Sequence, residues 1–209
     1  MFASCLKLFK RKTSKLPTTP SDMKYLITGL GNIGSEYAHT RHNIGFDILD
    51  HLAQQEGLTF EASRYGSIAY YKHKGRIFVL LKPSTYVNLS GKAVNYWLKK
   101  EKIKEENLLV VVDDLAIPFG QLRVKSKGSD AGHNGLKSIQ ENLGHNQYAR
   151  LRFGLGDNFR RGQQVDFVLS QWDDNEQKVL DERMDAACEI IKSFGVLGVA
   201  RTMNLYNKK

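Results

Sequence analysis

One histidine, one carboxylate and a set of carboxamides fall where a strand ends or a helix begins in this chain of 209 residues. Asn32 follows the first predicted strand, and His42 precedes the first predicted helix. Asn88 comes after a strand ending at Pro83, Asp113 after the most apolar strand, and His133-Asn134 opens the third helix. Together these groups suit attack of water on an ester. The imidazole takes a proton from water. The carboxylate accepts a hydrogen bond from the other ring nitrogen, fixing the tautomer and stabilising the imidazolium. The carboxamides hold water and carbonyl and stabilise developing negative charge. Taken singly, each residue reads as a cap, a turn or a loop amide. Their joint position on one rim favours a site, while spacing alone leaves the reaction open.

That rim depends on the elements beneath it. Residues 24–30 read as a short apolar strand. A helix over 43–55 follows, with Ile44, Ile48, Leu49, Leu52 and Ala53 on one face and Asn43 as its N-cap candidate. Residues 67–72 and 76–82 pair as a hairpin across 73–75. A helix from about Ser90 turns Ala93, Val94, Trp97 and Leu98 inward. The run 108–112 is apolar and β-branched, as in a strand buried on both faces. Strands over 120–125 and 150–155 flank a helix over 134–143 with Leu136, Ile139 and Leu143 inward. A long helix over 175–193 carries Val179, Leu180, Met184, Ala187 and Ile191 inward, and a last helix follows Gly195. Alternating strands and helices predict one α/β domain: a mixed, mostly parallel twisted sheet with helices on both faces. Ligands of such sheets sit at the carboxyl ends of strands, where these polar residues cluster.

Several competing chemistries fail on spacing. Gly29-Leu30-Gly31-Asn32-Ile33-Gly34 matches the dinucleotide fingerprint. That fingerprint needs a helix starting among the glycines and an acid ending the next parallel strand. Here 35–41 is a polar loop, and Asp50, at the right distance, lies within a predicted helix. The glycines are read instead as permitting a tight turn that exposes Asn32. The six histidines form no two-His helical pair or Cys/His cluster. Ser90-Gly91 lacks the Gly-x that precedes a nucleophilic serine. Neither cofactor nor metal is expected.

Composition adds bounds. With 41% hydrophobic and 25% charged residues the body is globular. A net charge of +9 fits a polyanionic partner and, equally, plain solubility. Cys5 and Cys188 lie in unlike contexts, which argues against a disulfide and for a reducing compartment; Cys188 reads as a small core residue. No apolar run approaches bilayer length, so no membrane is expected. Residues 1–22 are basic, with no acid before Asp22. They read as a disordered tail, as an organelle transit peptide, or as a stretch upstream of a start at Met23. The tail and the Met23 start are favoured, which leaves 23–209 as the domain.

Seven stretches carry more specific information: GLGNIGSEYAHTRHNIGF at 29–46, KPSTYVNLSGKAV at 82–94, VVVDDLAIPFGQLRVK at 110–125, GSDAGHNGLKSI at 128–139, RLRFGLG at 150–156, DFVLS at 166–170 and the closing TMNLYN. In these motifs and their order the chain resembles bacterial-type peptidyl-tRNA hydrolases. The resemblance implies hydrolysis of the ester between peptide and tRNA, without metal, by a cytoplasmic monomer. It implies His42 as general base and Asp113 as the carboxylate that stabilises it. Asn32 would recognise blocked, peptide-like substrates over free aminoacyl-tRNA. Asn88 and Asn134 would position substrate and water, Tyr37 and Tyr86 would line the site near the tRNA 3′ end, and His133 would support it. Lys125, Lys127, Lys137, Arg150 and Arg152 lie around the third helix and its flanking strands and read as phosphate contacts near the acceptor stem or, equally, as a solvated basic face. Lys125 and Arg152 resemble family positions of this kind, and RNA helices are met largely through shape and backbone. The alternative is a non-catalytic RNA-binding protein on the same fold; a nicotinamide or flavin enzyme is the weakest reading. Three positions depart from the family pattern: Ile33 where Pro is frequent, Val87 where Met is frequent, and Ala131 where Gly is common. Ala131 must take a negative φ or bear a steric cost.

Overall fold

A computed structural model of the chain describes residues 23–207. Residues 1–22 and the readings given for them lie outside the described residues, as do 208 and 209. Seven strands form one sheet: β1 (Lys24–Gly29), β2 (Glu61–Ser63), β3 (Gly66–His73), β4 (Arg76–Pro83), β5 (Leu108–Asp114), β6 (Leu122–Lys125) and β7 (Ala149–Gly154). Their order is β2-β3-β4-β1-β5-β7-β6. The central strands β4, β1, β5 and β7 run parallel, while β3 and β6 run against their neighbours. The helices are α1 (Ile44–Gln55), α2 (Ser90–Glu101), α3 (Asn134–Leu143), α4 (Gln164–Leu169), α5 (Asp174–Leu197) and α6 (Val199–Tyr206).

The sheet divides the core into two layers. On one face Ile27, Leu109 and Val111 pack with Ile48 and Leu52 of α1 and Ala187 and Ile191 of α5. On the other, Leu26, Val110 and Val112 pack with Ala93 and Trp97 of α2 and Ile139 of α3. β5 is buried along its whole length, as its apolar run predicts. A fully buried aliphatic side chain contributes roughly 2 kcal/mol, against about 0–1 kcal/mol for an exposed ion pair. The two apolar layers therefore hold the strand ends in place.

Several elements differ from the sequence reading. Val179 is 39% exposed. The buried stripe of α5 runs through Leu180, Met184, Ala187 and Ile191, and Val179 precedes it by one residue, about 100° around the helix. This helix also runs through Gly195 to Leu197. A capping box between Asp173 and Glu176 sets its start, and Gly198 at φ 78 sets its stop. Gly195 serves packing instead: a Cβ there would lie 2.3 Å from Cζ of Phe78. α4 and β2 are short and contain no buried residue, so neither leaves an apolar period to read.

No α-helix begins within the glycine-rich stretch after β1. A Cβ at Gly29 would lie 2.1 Å from the carbonyl oxygen of Gly45, and one at Gly45 would lie 2.5 Å from the backbone of Leu30. Gly29 thus lets the end of β1 touch the start of α1 backbone to backbone, and the turn itself falls at Gly34 with φ 116.

Candidate active site

β1 and β5 are neighbours, and the N–H of Leu30 donates to the carbonyl oxygen of Val111 at 2.9 Å. This sets the Asn32 loop beside Asp113, the penultimate residue of β5. His42 sits in the 3₁₀ turn Arg41–Asn43 that leads into α1. Its Nδ1 lies 3.0 and 3.1 Å from the two carboxylate oxygens of Asp113. His133 arrives from a third direction as the N-cap of α3, and its Nε2 lies 3.0 Å from Oδ1 of Asp113. The two imidazole centroids are 4.9 Å apart.

Hydrogen bonding assigns the tautomers. Nδ1 of His133 accepts from the N–H groups of Gly135 at 3.0 Å and Leu136 at 3.4 Å. That nitrogen carries no proton, so Nε2–H donates to Asp113. Burial pushes the Asp113 carboxyl upward, but attraction to His42 and His133 and the hydrogen bonds from both outweigh it. The group is held well below the usual carboxylate range and is an acceptor only. Nδ1–H of His42 must then donate to it, leaving Nε2 as the nitrogen with a free lone pair. Burial pushes the His42 imidazole down, yet the charge of Asp113 and its hydrogen bond raise it above the ordinary histidine value.

Asn32 is held from two sides. Its main-chain N–H donates to Oδ1 of Asn43 at 2.8 Å, and Nδ2 of Asn43 donates to the Asn32 carbonyl at 3.0 Å. Its own Oδ1 accepts from the N–H of Val87 at 3.1 Å, which leaves the Nδ2 protons for a ligand. Asn43 occupies the N-cap position of α1 as predicted, but its buried side chain makes no cap hydrogen bond. It ties the Asn32 loop to the His42 turn, and its adjacency to His42 was the only signal in the sequence.

Asn32, His42, Asp113, His133 and Asn134 meet at a cavity of about 510 Å³ whose remaining wall is largely apolar, with Val87, Leu136, Phe159, Val165, Val168 and Leu169. The other expected residues lie outside this lining. Tyr86 is exposed and Asn88 follows in the turn Val87–Leu89, while Tyr37 is half-buried in the turn Ser35–Tyr37. Lys125 is exposed at the end of β6. Arg152 is half-buried on β7 and ion-paired with Asp114. Arg150 is buried; it donates to the carbonyls of Ser129 and Asn146 and stacks over Tyr148, so it serves the scaffold. Lys127 and Lys137 are exposed.

His42, Asp113 and His133 offer three ligand atoms within 4.8 Å of one another, a grouping the local spacing of histidines does not reveal. Both facing nitrogens already donate to Asp113, so a cation seated there displaces two protons. Ala131, on the cavity wall, has φ 50, so the steric cost applies. Ala131→Gly is expected to raise stability by up to about 1 kcal/mol in denaturant unfolding. No helix among the described residues is long and apolar enough to cross a membrane.

Comparison with known proteins identifies the family. The sequence model of the family "Peptidyl-tRNA hydrolase" matches residues 26–209. The peptidyl-tRNA hydrolase of Phocaeicola vulgatus is 63% identical over 187 residues, covering 90% of this chain and all of the relative. That of Bacteroides fragilis is 60% identical over the same span, with the same coverage. Among solved structures, peptidyl-tRNA hydrolase from Acinetobacter baumannii superposes with a TM-score of 0.82 at 35% identity, covering 90% of this chain and 95% of the other. The chain belongs to the peptidyl-tRNA hydrolase family.

Proposed function

We propose that His42 is the general base in the reaction of this family, hydrolysis of the ester that joins a peptide to tRNA. Nε2 of His42 takes a proton as water attacks the ester carbonyl carbon. The tetrahedral intermediate expels the ribose oxygen of the tRNA, which receives the proton from the imidazolium. The products are free tRNA and a peptide acid. Asp113 holds the ring and stabilises its cation; His133 holds Asp113. The free Nδ2 protons of Asn32 and the carboxamide of Asn134 face the carbonyl and the incoming water. Tyr37, Tyr86 and Asn88 flank the tRNA 3′ end. Lys125, Lys127 and Lys137 meet phosphates, with Arg152 behind them. On the same reading the enzyme is a cytoplasmic monomer.

The observation that carries this reading is the His42–Asp113 pair at 3.0 Å, with its tautomer set, on the cavity wall. Its test is release of the acetylated amino acid from N-acetyl-aminoacyl-tRNA, with and without a chelator. Full release in both conditions is expected. Release lost on chelation contradicts the metal-free mechanism, and tRNA binding without release favours a non-catalytic RNA-binding protein.

A further inference from the structure

Arg41, next to the proposed base, is 6% exposed. Its Nε donates to Oε1 of Glu176 at 3.3 Å and its Nη2 to Oε2 at 2.5 Å. Nη1 donates to Oγ of Ser170 and to the carbonyl of Gln171, both at 2.5 Å. The guanidinium lies 4.6 Å from the ring centroid of Phe167 and 5.5 Å from that of Trp172. The backbone adds to this clamp. The N–H of Arg41 donates to the Ser170 carbonyl at 3.1 Å, and Thr40 pairs with Gln171 in an antiparallel bridge. Glu176 also accepts from the N–H of Asp173 at 2.9 Å, closing the cap of α5. The clamped stretch therefore runs from the end of α4 to the start of α5.

No residue of α4 is buried, yet it supplies Gln164, Val165, Val168 and Leu169 to the cavity wall. An element with so little core of its own takes its position from what grips its end. The grip is a fork of planar donors between two rings, a geometry that lysine does not reproduce. We infer that Arg41 is a positioning residue that fixes the apolar α4 wall against His42 and so sets how well the site holds an apolar side chain on the esterified amino acid. The inference rests on the functional reading above, with the acyl group in the cavity.

The test compares Arg41→Lys and Glu176→Gln with the unaltered enzyme on N-acetyl-leucyl-tRNA and N-acetyl-glycyl-tRNA. Moving an apolar wall acts mainly on the larger side chain, so the leucyl-to-glycyl ratio of kcat/KM should fall about fivefold in each variant. The double variant should fall no further than Arg41→Lys alone, because Glu176 bears on the wall through the Arg41 fork. The acid limb of the pH profile should stay in place, because the bond between His42 and Asp113 is untouched. Ser170→Ala, which removes one acceptor of the fork and the hydroxyl's own bond to the Phe167 carbonyl, replaces any variant that does not fold. An unchanged ratio, with both substrates losing rate alike, overturns the inference and leaves Arg41 a scaffold residue. So does an acid limb that moves. An unaltered enzyme that hydrolyses neither substrate refutes the functional reading instead.

Discussion

His42→Ala is expected to lower kcat roughly a thousandfold while tRNA affinity stays within about twofold. The variant removes the one acceptor nitrogen left over once Asp113 has taken Nδ1–H of His42 and Nε2–H of His133. Asp113 keeps its bond to His133, and the layers beneath β5 are untouched, so the loss is chemical rather than structural. The exposed cations Lys125, Lys127 and Lys137, proposed above to meet the phosphates, lie outside the cavity lining, so binding is expected to survive. Single-turnover hydrolysis of N-acetyl-aminoacyl-tRNA gives the rate, and filter retention of labelled tRNA gives the affinity. A variant within about tenfold of the parent rate excludes His42 as the base, because general-base catalysis is worth at least about a hundredfold.

Much of this site is legible in the sequence because parallel sheets present their strand ends together. The run Leu108–Val112 marks a central strand, so Asp113 must emerge on the sheet's carboxyl rim, where Asn32 and His42 also fall. Continuous apolar runs recover the central strands β1 and β5, and period-3.6 patterns recover the inward faces of α1 and α2. They say nothing of contacts between distant segments. Arg41 and Glu176 are separated by 135 positions, and nothing in TRHN marks its arginine as buried. The bond from His133 to Asp113 is hidden for the same reason, as is the link from Asn43 to the Asn32 backbone. Charge misleads in a related way. Arg150 reads as a phosphate contact, but its guanidinium meets backbone carbonyls inside the fold. α4 is missed because it is six residues long and fully buries none of them.

Asp113→Asn has the second large effect, and the fixed tautomer of His133 explains why. Nε2–H of His133 claims the amide oxygen of the new side chain. Nδ1 of His42 then lies between that shared neutral oxygen and the amide N–H groups, so its tautomer is no longer held by a carboxylate and the imidazolium loses its counter-charge. The expected drop in kcat/KM is roughly 10²- to 10³-fold. The pH profile shifts as well. The neutral imidazole is the active form, so the parent rate falls as pH drops through the His42 pKa. Asp113 raises that value, placing the acid limb above the ordinary histidine value of about 6.5. Without the carboxylate charge, burial alone remains and pushes the imidazole down, so the limb moves to lower pH.

The decisive measurement is kcat/KM against pH for the parent enzyme and Asp113→Asn on N-acetyl-aminoacyl-tRNA. A parent limb above pH 6.5 that drops in both height and pH in the variant is the result expected of an imidazole base charged by its buried carboxylate. A variant limb at the parent position, or moved upward, contradicts that pairing.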